Sequence, residues 1–86
     1  MDEEVVFKIQ IASSKNKIQQ KSYNFNGLKN VQRVKVGSYY KYYFGVTTNY
    51  NKVKNSLLKA KSKGYSDAYI AAFKKGKKVS LTEVLK

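Results

Sequence analysis

Residues 39–45 read YYKYYFG, four tyrosines, a lysine and a phenylalanine closed by a glycine. A strand with one face on a core and one in water alternates apolar and polar residues. This stretch carries rings on both sides, so whatever sheet it joins must use both of its faces. With Gly45 in register, Tyr40, Tyr42 and Phe44 fall on one side, and Lys41 and Tyr43 on the other.

The stretch before it is a partner strand. VQRVKV, residues 31–36, is followed by Gly37-Ser38, and glycine accepts the positive φ of a tight hairpin turn. Near the start, residues 5–12 read VVFKIQIA. Phe7, Ile9 and Ile11 point one way and Lys8, Gln10 and Ala12 the other, a half-buried strand. Between these strands, residues 13–30 are polar and weakly patterned. Ile18, Phe25 and Leu28 can anchor a short helix or an irregular crossover, and Gly27 argues against one long helix.

After Thr48 the period becomes helical, with Val53, Leu57, Ala60 and Lys61 on one stripe and Leu58 beside them. Thr48 or Asn49 can cap its first turn, and Gly64 stands where a left-handed stop is expected. DAYIAAF, residues 67–73, reads as a fourth strand, with Ala68, Ile70 and Ala72 inward and Tyr69 and Phe73 outward. KKGKK then turns the chain. SLTE at 80–83 is a capping-box pattern that opens a short helix through Leu85. The order β–(α)–β–β–α–β, with parallel strands joined by right-handed crossovers, predicts an α+β, ribonucleoprotein-like fold. Its four-stranded, antiparallel-type sheet would carry helices on one face and leave the other bare.

The 86 residues make one domain. Residues 1–4 are expected to be a mobile N-terminus, 5–73 the domain proper, and 74–86 a turn with a short terminal helix. No histidine or cysteine is present, so the commonest general base and the commonest metal ligands are missing. Of five acids, Asp2, Glu3 and Glu4 crowd the N-terminus, leaving Asp67 and Glu83, which nothing in the sequence brings together. Asp67 reads as a cap or turn residue. With no Gly-rich phosphate loop either, the expectation is a non-enzyme with no catalytic residues, no metal and no cofactor. The formal net charge of +13 comes from cations spread along the chain. It makes a surface that attracts anions such as nucleic acid, anionic lipid or an acidic wall polymer. No run approaches the ~20 apolar residues of a membrane span, and MDEEVVF lacks the order of a signal peptide.

Three stretches then resemble the SPOR (sporulation-related repeat) family. FKIQIASS resembles its opening motif, YKYYFG its second motif, and GYSDAYIAAF its closing one, in order and on the expected elements across residues 5–73. The crossover GLKNV and the end KKGKKVSLTEVL are similar to the module at the C-terminus of Bacteroidetes N-acetylmuramoyl-L-alanine amidases. The resemblance implies a non-catalytic module that binds peptidoglycan glycan strands stripped of their stem peptides. Such a module would be a monomer without membrane insertion. As part of an exported parent protein in the periplasm or cell envelope, it would target a cell-wall amidase or division protein to the septum.

The implied ligand lies on the helix-free face. The motif glutamine maps to Gln10, the closing serine to Ser13, the two basic third-strand positions to Lys41 and Tyr43, and the last-strand aromatic to Tyr69. Lys8 shares that face by alternation. The chain departs from the pattern in a degraded first helix and in a tyrosine replacing one third-strand arginine. A floor of rings, amide and ammonium suits sugar: C–H patches pack on rings, glutamine donates and accepts, and lysine can pair with the lactyl carboxylate left by an amidase. On this reading Lys41 and Tyr43 can be removed together without harming the fold.

Blander readings stand alongside. Tyr43 fits as a cross-strand packing residue, Gln10 as a solvated position, Lys8 and Lys41 as surface charges, and Tyr69 and Phe73 as residues under the terminal helix. The alternative function is an RNA- or single-stranded nucleic-acid-binding module, since RNA-recognition domains stack bases on the same bare sheet. Their third-strand signature requires an internal glycine, which SYYKYYFG lacks before its final residue.

Overall fold

The computed structural model describes residues 4–84, less the side chain of Ser22. The expected mobile segment 1–4 therefore lies, apart from Glu4, outside the described residues, as does Leu85, the expected end of the terminal helix. Strands β1 (Val5–Ser14), β2 (Gln32–Val36), β3 (Tyr39–Thr47), β4 (Tyr69–Lys74) and β5 (Lys77–Val79) form one sheet, joined by helices α1 (Tyr50–Ser62) and α2 (Leu81–Val84). The sheet order is β2-β3-β1-β4-β5 and every neighbouring pair is antiparallel. This is a small α+β domain with five strands, where the sequence predicts four. The added strand arises because Lys75 (φ 50°) and Gly76 (φ 78°) are both left-handed, the requirement of a two-residue hairpin. KKGKK thus returns the chain onto β4, pairing Lys74 with Lys77.

One side of the sheet holds the core. Phe7, Ile9, Tyr42, Phe44 and Ala72 meet Val53 and Ala60 of α1 and Phe25, Leu28 and Val31 of the first crossover. Val79, Leu81 and Val84 pack on the same cluster, so α2 docks on the helix side of the sheet. The first crossover forms only a 3-10 turn at Ser22–Phe25. Polar anchors hold it in place of a helix. The Ile18 N–H donates to the Tyr42 hydroxyl at 2.7 Å, and that hydroxyl donates to the Asn16 carbonyl at 3.1 Å. Arg33 Nη1 donates to the Ile18 carbonyl at 2.9 Å, and Gln20 Nε2 to the Val31 carbonyl at 2.7 Å. Tyr42 can thus be fully buried, because its one polar group has a partner in each direction.

Helix α1 begins where Asn49 Oδ1 accepts from the Lys52 N–H at 3.0 Å. It ends in a Schellman pair, Gly64 N–H to Lys61 C=O and Tyr65 N–H to Ala60 C=O, with Gly64 at φ 103°. Val53 and Ala60 are buried as the periodicity predicts, whereas Leu58 and Lys61 face solvent.

Two irregularities correct the alternation. On β1 the pairing slips between Gln10 and Ala12, so Ile11 and Ala12 both pack toward the core and Ser13 turns to the open face. Strict alternation puts Ala12 with Lys8 and Gln10; the bulge reverses it. On β3 the one extra residue falls at Gly45-Val46, which together oppose Lys8. Gly45 has φ 70°, and a Cβ there would stand 2.6 Å from Ser56 Cβ, so the glycine serves both the bend and the close approach of α1.

Candidate functional site

Among the described residues the opposite side of the sheet carries no helix, and hairpin register fixes what it displays. Directly paired residues share a face. Gln32, Tyr43, Gln10 and Tyr69 therefore stand abreast across four strands. Val34, Lys41 and Ser13 form the neighbouring row, and on the other side Lys8 pairs with Ala71 and Val6 with Phe73. The six residues singled out from the sequence, Lys8, Gln10, Ser13, Lys41, Tyr43 and Tyr69, thus share this face. Phe73 joins them and does not lie under α2.

Their exposures differ. Tyr69 is 41% exposed and Tyr43 only 4%. The Tyr69 hydroxyl donates to Gln10 Oε1 at 2.7 Å and accepts from Lys78 Nζ at 3.3 Å. Lys78 Nζ also lies 5.2 Å from the Tyr69 ring centroid. These contacts fix the ring and orient the Gln10 amide, whose nitrogen takes no part in the Tyr69 bond. Tyr43 meets Phe73 edge-on, with centroids 5.7 Å apart and planes at 89°. The Lys8 ammonium sits between the two, 5.4 Å from the Tyr43 ring and 4.9 Å from that of Phe73. Ala71, buried although it faces outward, belongs beneath this group. Burial, and secondarily the nearby Tyr69, raise the Tyr43 pKa above its ordinary value and keep the phenol neutral.

Tyr43 is therefore a packing residue within the floor. The exposed rings of the face are Tyr69 and Tyr39. Beside the Tyr43–Phe73 pair lies a trough of about 290 Å³ lined by Val6, Lys8, Val34, Val36, Tyr43, Phe73, Lys75 and Gly76. Only Lys8 and Tyr43 of the six sequence-derived residues border it. Sequence reasoning missed Gln32 of the row, Lys78, and Val34 and Val36 with Val6, Lys75 and Gly76 of the trough. The valines were readable in principle, since a two-residue turn at Gly37-Ser38 forces Val36 opposite Tyr39 and Val34 opposite Lys41. Lys78 was not, because its place depends on β5.

Among the described residues no cluster of three or more His, Cys, Asp or Glu side chains could hold a metal ion. No helix among them is long and apolar enough to cross a membrane. The chain matches no family model, no curated protein and no solved structure.

Proposed function

We propose that this chain is a SPOR-type, non-catalytic module that binds peptidoglycan glycan strands lacking stem peptides, and that it brings a cell-wall amidase or division protein of the envelope to the septum. The observation that carries this reading is the row Gln32–Tyr43–Gln10–Tyr69 on the helix-free face. It offers a fixed, exposed ring joined to an amide, with Lys41 and Ser13 in the next row and Lys8 on the other side. The order β2-β3-β1-β4, with crossovers between β1 and β2 and between β3 and β4, supports reading the sheet as ribonucleoprotein-type with β5 appended. The three sequence motifs fall on β1, β3 and β4.

A saccharide across this row would lay C–H patches on Tyr69, exchange hydrogen bonds with Gln10 and Ser13, and bring an uncapped lactyl carboxylate to Lys41 or Lys8. An intact stem peptide would have to be accommodated over the same floor. The buried Tyr43 offers its face to neither a sugar nor a base, so Tyr69 and Tyr39 are the rings open to either ligand, and the absent third-strand signature is what favours the glycan.

The test is co-sedimentation with purified sacculi, with and without prior amidase treatment, beside an RNA filter-binding control. Binding is expected only to amidase-treated sacculi. The triple variant Gln10→Ala, Lys41→Ala, Tyr69→Ala should lose it while keeping its circular dichroism. Tyr43→Ala is unsuited to the purpose, because it empties a packed position. Full binding by the triple variant would reject the site. RNA binding with a steep salt dependence, and none to sacculi, would reject the glycan.

A further inference from the structure

The two edges of the sheet are not alike. One is β5, three residues long and bearing Lys77 and Lys78, a short and charged edge of the kind that resists pairing. The other is β2, five residues long, with Gln32, Val34, Lys35 and Val36 all exposed. Its inner side is hydrogen-bonded to β3; among the described residues its outer side borders no strand. Val34 and Val36 emerge from this edge on the open face and line the trough, with the exposed Tyr39 opposite Val36. Arg33 and Lys35 emerge on the helix side, opposite Tyr42 and Tyr40.

That pattern decides what the edge will accept. A second copy pairing antiparallel about Val34 would set Arg33 of each chain directly opposite Lys35 of the other. Two like-charge pairs on one short ladder disfavour it, and each copy carries a net +13. The complementary strand has the reverse charge: apolar residues facing Val34 and Val36, carboxylates facing Arg33 and Lys35. We propose that the β2 edge is a docking site for an extended acidic segment of a partner protein. That segment alternates apolar and acidic residues and adds a sixth strand to the sheet. Backbone hydrogen bonds supply the framework, and the alternation selects the partner. The site adjoins the glycan row at Gln32, but its contacts are made by the β2 backbone, Arg33 and Lys35, and do not depend on what Gln10 and Tyr69 bind.

The probe is the peptide fluorescein-Thr-Val-Glu-Val-Glu-Val-Thr-amide, into which the whole chain is titrated by fluorescence polarisation, with amide exchange of the chain in the presence of the acetyl-capped peptide as the second readout. Saturable binding is expected, with slowed exchange confined to the β2 backbone. Lys35→Glu should weaken it by about ten-fold, the swing from an attractive to a repulsive cross-strand pair plus its neighbour. Arg33 is left untouched because its guanidinium also holds the crossover. Gln10→Ala with Tyr69→Ala should leave binding unchanged. Three results would each overturn the proposal. One is equal binding by a scrambled peptide with its glutamates adjacent. Another is equal binding by a peptide N-methylated at alternate residues, which cannot form the ladder. The third is a chain already dimeric through β2, seen as protection of residues 32–36 that rises with protein concentration.

Discussion

At the scale of single residues, the chain's tyrosines divide by what happens to the hydroxyl. Tyr42 is sealed in the core and uses its oxygen as both donor and acceptor. Tyr69 stays in solvent and spends its proton on Gln10. Tyr43 lies between these cases, packed by Phe73 and Lys8, with burial and the neighbouring Tyr69 disfavouring its phenolate. The folded Tyr43 therefore holds its proton more tightly than the unfolded chain does. Where the native state binds more protons, stability falls as pH rises. The contribution is intact below the ordinary tyrosine value of about 10 and is lost progressively above it, through the raised folded value. Tyr43→Phe removes the titration and keeps the ring. Thermal melts at pH 8–11 should therefore show a smaller alkaline loss for Tyr43→Phe than for the wild type. Identical slopes would mean that burial does not restrain this phenol.

At the scale of elements, Gly45 is where strand and helix meet most closely. An alanine there would be asked to adopt φ 70° and to place Cβ 2.6 Å from Ser56 Cβ. The backbone penalty is about 1–2 kcal/mol, and overpacking against α1 adds about 1–3 kcal/mol. Gly45→Ala should thus lower Tm by roughly 4–8 °C for each kcal/mol lost. Adding Ser56→Gly should recover the contact part and leave the φ part. Recovery of the whole loss would show that the left-handed bend costs nothing. Much at this level was legible beforehand. Alternation revealed β1 and β3, the Gly37-Ser38 turn joined β2 to β3, and Asn49 and Gly64 bracketed α1. The candidate face was legible too, because two-residue periodicity separates Lys8, Gln10, Lys41, Tyr43, Tyr69 and Phe73 from the core without any knowledge of packing. What escaped has a common cause. Bulges insert a residue without changing composition, so Ile11-Ala12 read as ordinary alternation, and KKV carries too little apolar pattern to announce β5. The burial of Tyr43 depends on a neighbour two strands away, Phe73, which no local window contains.

At the scale of the whole molecule, charge dominates. Between Val5 and Ser66 there is no aspartate or glutamate, and the full chain sets 18 cations against five acids. Several cations find partial compensation on rings: Lys8 on Tyr43 and Phe73, Lys15 on Tyr39, Lys54 on Tyr50 and Lys78 on Tyr69. Ring quadrupoles soften the field without cancelling net charge, so folding draws like charges together at a cost. Salt should therefore stabilise this fold, by screening repulsion over a Debye length that shrinks from about 30 Å at 0.01 M to about 8 Å at 0.15 M. The expected result is a Tm that rises with sodium chloride across that range and changes little beyond it, since the closest contacts are cation–ring pairs that salt screens less. An anionic polymer that binds the folded surface should raise Tm further at low salt and lose that effect as salt is added. A Tm that fell on adding sodium chloride would mean that attractive ion pairs outweigh the repulsion. The unbalanced charge would then be a property of the surface alone, with no weight in the stability of the fold.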